Sequence, residues 1–210
     1  MKFKKLAVLA AFFMIFGVSY SAQAQDITSD VIFLKGGYIP NYTVTYDEEG
    51  KKDGEANGFA VQGEYNLNFQ GFWLGFGFEW QRLVDTGENG ADDTVMQFIQ
   101  PMVSGKITAV GGLYLGAGLS GKYLISIKPE VDPVTIPKKI DLWANGMLGY
   151  HMPIAEGVYL ALEGRFGWNL TNNQFSESDN NGTIEEIKTK SAYDMAFYVG
   201  IGTHAMGTGY

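Results

Sequence analysis

Apolar and polar positions alternate along most of this chain. From residue 31 onward, aromatic and aliphatic side chains take every second place in segments of roughly a dozen residues, the period of two expected of strands with one face buried and one not. Strands are predicted over 31–46, 57–69, 72–84, 94–106, 111–127, 140–152, 157–170 and 190–203. In the second, Phe59, Val61, Tyr65, Leu67 and Phe69 share one face, and Gln62, Glu64, Asn66 and Asn68 share the other. The third sets Phe72, Leu74, Phe76, Phe78 and Trp80 against Gly75, Gly77, Glu79 and Gln81. The fifth sets Leu113, Leu115, Ala117, Leu119 and Tyr123 against Tyr114, Gly116, Gly118, Ser120 and Lys122. The seventh opposes Val158, Leu160, Leu162, Phe166 and Trp168 to Tyr159, Glu163, Arg165 and Asn169. One face is apolar and the other carries the charge.

The connections alternate too. Gln70-Gly71, Thr108 to Val110 and Pro153 to Glu156 are tight, whereas Asp47 to Ala56, Asp85 to Asp93, Lys128 to Lys139 and Thr171 to Thr189 are long and rich in Gly, Asn, Asp and Pro. Eight strands joined short, long, short, long predict an all-β fold, an eight-stranded antiparallel up-and-down transmembrane β-barrel. Short turns would face the periplasm and long loops the exterior.

Alternation alone leaves open which face points outward, because a soluble lipocalin-like barrel would bury the apolar face. Three features favour the membrane. Aromatics recur near strand ends at Phe69, Phe72, Trp80 and Trp168, where interfacial girdles lie. Glycine falls mainly on the polar face, as a crowded lumen requires, and turn lengths segregate by side. On this placement the lipid-facing set is Phe59, Leu67, Phe72, Leu74, Phe76, Phe78, Trp80, Leu113, Leu115, Leu160, Leu162, Phe166, Trp168, Phe197 and Val199. The inward set of charges is Glu64, Glu79, Lys122, Asp141, Glu163, Arg165 and Asp194.

The first 24 residues fit a cleavable export signal: Lys2, Lys4 and Lys5, an apolar run from Leu6 to Val18, then Ala22-Gln23-Ala24 before a mature start at Gln25. The barrel domain is then 25–210. Removing three lysines and no acid leaves 12 basic against 23 acidic residues, a net charge of −11. Such a surface excludes nucleic acid, because no basic face remains to displace counterions from phosphates. With no cysteine there is neither a disulfide framework nor a lipidated Cys. Mean hydropathy is only −0.05, so after the signal no spanning helix is expected and membrane residence must use strands.

Four stretches carry a family resemblance: Gln97-Phe98-Ile99-Gln100-Pro101, Leu113-Tyr114-Leu115-Gly116-Ala117-Gly118, Gly146-Met147-Leu148-Gly149-Tyr150 and Leu162-Glu163-Gly164-Arg165-Phe166. Through them the chain resembles the outer membrane β-barrel domain family of small porin-like proteins, related to the transmembrane domain of outer-membrane protein A. The resemblance implies eight strands, a Gram-negative outer-membrane address, contact with the outer-membrane assembly machinery and, in most members, no assigned biochemical role. Members usually end on an aromatic residue in phase with the lipid-facing set. Here Met195, Phe197, Val199 and Ile201 give way to a tail in which Tyr210 is out of phase.

An eight-stranded barrel is only wide enough for side chains to fill it, so inward charges are expected to pair and plug the bore. Arg165 is the expected central cation, flanked by Glu163 and able to fork to two carboxylates. The competing use of the same charges is a narrow, gated conductance. No enzyme, cofactor or metal site is expected: His151 and His204, the two histidines of the mature chain, both fall toward the short-turn end, away from an outward-rim nucleophile. Gly116 to Lys122 nearly fits a phosphate loop but lacks both the following Ser or Thr and the helix. Acidic clusters such as Asp47-Glu48-Glu49 and Glu88 to Asp93 lack calcium-loop spacing and read as solvated loops, open to a surface ligand. Arg82, with lipid-face parity at the outer rim, is placed to meet lipopolysaccharide phosphates. The expected role is structural or interactive in the cell envelope, the alternatives being a narrow porin-like channel and a secreted soluble binding barrel.

Overall fold

The computed structural model describes residues 30–46, 54–69, 71–86, 93–128, 140–171, 174–178 and 184–205. Its strands are β1 (Val31–Tyr46), β2 (Gly54–Phe69), β3 (Phe72–Asp85), β4 (Thr94–Thr108), β5 (Leu113–Lys128), β6 (Asp141–Ala155), β7 (Val158–Asn169), β8 (Gln174–Ser178) and β9 (Ile184–His204). Neighbours pair antiparallel in the order β1 to β7 and then β9, and β9 returns to β1 from Val31↔His204 to Tyr46↔Thr189. Eight strands therefore close on themselves, so that none of the eight is an edge strand of the barrel. The signal segment, the proposed start at Gln25, the acidic clusters at 47–49 and 88–92 and the tail with Tyr210 lie outside the described residues.

The long connection Thr171 to Thr189 departs from expectation. Within it β8 pairs with the first residues of β9, from Gln174↔Lys188 to Ser178↔Ile184, as a two-stranded ribbon beyond the barrel. β9 as a whole accordingly begins at Ile184, while its pairing within the barrel begins at Thr189, next to the expected start at 190. At the opposite end the turns are tight. Val110–Gly112 forms one 3-10 turn, with Gly111 at φ 73° and Gly112 at φ 94°, and this delays β5 to Leu113 instead of 111. A side chain at either position would be forced into the left-handed region that glycine enters freely. β6 runs on through Pro153 to Ala155, so the reversal narrows to Glu156 and Gly157.

Exposure follows the alternation. Among the described residues 29 large hydrophobic side chains are exposed, from Tyr150 at 37% to Ile107 at 67%, whereas inward neighbours such as Glu64 and Arg165 are at 2%. Every residue expected on the apolar face points away from the bore, with Leu67, Leu74, Trp80 and Leu160 half-buried and the other eleven exposed. A patch of this size is far beyond the few hundred Å² that water-soluble monomers tolerate.

β1, the closing strand, is irregular, and besides a shift against β9 between Thr45 and Tyr46 it carries a larger break. Both ladders of β1 shift register at the same place, between Ile39 and Tyr42 against β2 and between Tyr38 and Asn41 against β9. Burial consequently changes from odd positions (Val31, Phe33, Lys35, Ile39) to the run Tyr42, Thr43 and Val44, of which Tyr42 and Val44 join the apolar cluster of the bore. Pro40, which has no N–H to donate, stands at this bulge.

Candidate functional site

The bore is lined by inward positions of all eight barrel strands and is layered along its length. At the short-turn end Val31, Phe33, Trp73, Tyr159 and Ala161 form an apolar cluster. His151 sits against it, its ring centroid 4.5 Å from Phe33, 4.9 Å from Trp73 and 4.4 Å from Tyr114. Neither ring nitrogen of His151 has a hydrogen-bond partner, so it is not arranged as the base of a nucleophile pair.

Above that cluster lies an ionic quartet. The Lys35 ammonium donates to Glu64 at 2.6 Å and to Glu163 at 2.8 Å. Lys106 donates to Glu64 at 2.6 Å and lies 3.6 Å from Glu163. Tyr114 donates its hydroxyl to Glu163, and Ser104 reaches Glu64 at 3.4 Å. Each cation faces both carboxylates, and the group is electrically neutral. Gly75 makes room for it. A Cβ there would stand 2.5 Å from Ser104 Oγ and 2.7 Å from Glu64 Oε1, which explains why this inward position carries no side chain.

Further toward the long connections the pattern changes to separate pairs. Arg165 forks onto Glu79, Nη1 to Oε2 at 2.6 Å and Nη2 to Oε1 at 2.9 Å, the bidentate geometry that makes guanidinium–carboxylate contacts strong. Tyr198 and Gln81 donate to the same carboxylate, and Gln81 continues through Gln100 to Ser120 and Asn145. Lys122 crosses the bore to Asp194 at 2.6 Å. Its ammonium also lies 4.0 Å from the Trp143 ring centroid, 4.9 Å from Tyr42 and 5.6 Å from Phe98. Around this pair Ile39, Val44, Ala56, Leu83 and Ala192 complete a second apolar cluster.

Four buried cations thus meet four buried carboxylates among the described residues, all of them paired. Removing eight charges from water is costly, and only pairing at this quality with further hydrogen bonds offsets that cost. The arrangement sets these paired charges side by side across the interior of the barrel.

No protein-family model and no curated protein matches the chain. Solved structures do. Neisserial surface protein A is 11% identical over 84% of this chain and 97% of that one, with a TM-score of 0.50. Outer membrane protein OprG from Pseudomonas aeruginosa is 10% identical over 84% and 97%, with a TM-score of 0.53. The fold is that of the small outer-membrane barrels. At such identity the likeness concerns architecture alone.

Six of the seven inward charges named from sequence are buried in these clusters, but their partners differ from expectation. Arg165 forks to one carboxylate, Glu79, not to two. Glu163, two positions away on the same strand, belongs to the quartet instead. Asp141 is half-buried at the first position of β6, in register with Lys122, whose ammonium goes to Asp194. Sequence reasoning missed Lys35 and Lys106. Their signal was present: Lys35 is out of phase with Ile32 and Leu34, and Lys106 shares its phase with Gln100 and Ser104.

Proposed function

We propose that the protein is an integral outer-membrane barrel, exported by a signal that is cleaved after Ala24, whose plugged interior rigidifies a platform for loops at the cell surface. Its role on this reading is structural or interactive in the envelope. The observation that carries it is the inversion of polarity among the described residues, where 29 large hydrophobics are exposed, most of them on the outer wall, and eight charges are paired in the bore. That inversion stabilises a barrel in acyl chains and would destabilise one in water, which disfavours the secreted soluble alternative. Contact with the assembly machinery, a loop-borne surface ligand and a lipopolysaccharide contact at Arg82 belong to the same proposal. Arg82 stands half-buried on the outer wall, its guanidinium 6.0 Å from the Phe59 ring, three positions before the end of β3.

Envelope fractionation with heat-modifiable gel migration tests the placement, and N-terminal sequencing tests the start at Gln25. Recovery of a soluble periplasmic protein would overturn the reading. Planar-bilayer recordings separate the plugged barrel from the narrow channel: the expected outcome is no steady conductance. Leu162→Arg, on the outer wall, should lower stability by about 2–4 kcal/mol if it meets the hydrocarbon midplane and so impair assembly. Normal assembly of that variant would show that this wall does not face lipid.

A further inference from the structure

The Lys122 ammonium occupies a cage that would suit any primary ammonium. Trp143, Tyr42 and Phe98 present ring faces to it within the distance at which cations are attracted to aromatic quadrupoles, and Asp194 supplies the counter-charge. Two further oxygens converge beside it. A Cβ on Gly167 would lie 3.2 Å from Asn145 Oδ1 and closer still to Asp194 Oδ1, so both oxygens flank one point, and neither accepts a hydrogen bond from a side chain. The Gly167 backbone N–H already serves the Asp194 carboxylate, but Asn145 Oδ1 is a buried acceptor without a donor, and a group bringing N–H bonds would relieve it. Lys122 delivers its ammonium to Asp194 Oδ2 alone.

The walls stand near the end with long connections. Tyr42 is four positions before the end of β1, Phe98 four after the start of β4 and Trp143 two after the start of β6. Lys122 also has a second carboxylate in reach of its strand: Asp141, directly across in register on β6, at the rim. We propose that this cage is a binding site for a primary organic ammonium and that Lys122 is its tethered resident, displaced by the ligand toward Asp141. The site is self-occupied in the absence of ligand. It stands on the barrel interior and is independent of where the barrel resides.

Refolded protein in micelles provides the test, with butylammonium, the analogue of the lysine side chain, as the probe. Lys122→Ala should bind it at least about tenfold more tightly than wild type, because the cage is no longer filled for most of the time by its own occupant. The alcohol of equal chain length, which lacks the charge, should not bind. In wild-type protein carrying isotope-labelled lysine, butylammonium should shift the Lys122 side-chain resonance and leave those of Lys35 and Lys106 in place. That second measurement holds even where Lys122→Ala fails to fold. A folded Lys122→Ala protein with no gain in affinity, equal binding of the alcohol, or an unmoved Lys122 resonance in wild type would each overturn the proposal.

Discussion

The two halves of the bore hold their charges differently. Near the short turns Lys35, Lys106, Glu64 and Glu163 share partners, each cation within 3.6 Å of both carboxylates. Near the long connections Arg165–Glu79 and Lys122–Asp194 are exclusive pairs, held by aromatic rings and neutral donors. Sharing gives tolerance: one charge can be lost while the others keep a partner. Exclusivity gives definition, because each pair has one geometry, and it leaves a stranded charge when broken.

That contrast can be broken by substitution. The largest effect is expected from Arg165→Met, which leaves Glu79 buried without its cation and should cost about 3–5 kcal/mol in urea unfolding followed by gel migration. Adding Glu79→Gln to that variant should recover much of the loss, since the stranded charge then disappears. A smaller cost, about 1–3 kcal/mol, is expected for Glu163→Gln, because Lys35 and Lys106 both keep Glu64 at 2.6 Å. If Glu163→Gln proved as damaging as Arg165→Met, shared partners would confer no tolerance. Smallest is Tyr198→Phe, about 1 kcal/mol, since Glu79 loses one donor and retains Arg165 and Gln81.

Strand order and facing were legible because a period of two is a local property of the chain. Glu64 and Phe76 can be sorted to opposite faces from their neighbours alone. Who meets whom across the bore is not local. Arg165 and Glu163 are next-but-one neighbours on one face of β7, yet they join different clusters, because partners in a closed barrel are set by strand tilt and stagger around the whole ring. The Trp143, Tyr42 and Phe98 cage was hidden for the same reason, its walls coming from three strands far apart in sequence. Lys35 and Lys106 are a different case. Their phase was readable, but an isolated lysine between apolar neighbours draws attention only when every strand is sorted. The β8 ribbon was obscured by length, since five residues give too few alternations to stand out from a polar connection.

The double register shift in β1 has a topological meaning. Because both flanking ladders slip together at Pro40, the strand behaves as two pieces of opposite parity joined in series, and the first piece contributes Lys35 while the second contributes Tyr42. Excising one residue at that joint would turn Tyr42 and Val44, both members of the bore's apolar cluster, toward the surroundings, without altering any other strand. A single-residue step at the seam where the ring closes thus decides which side chains β1 lends to the long-connection end of the bore.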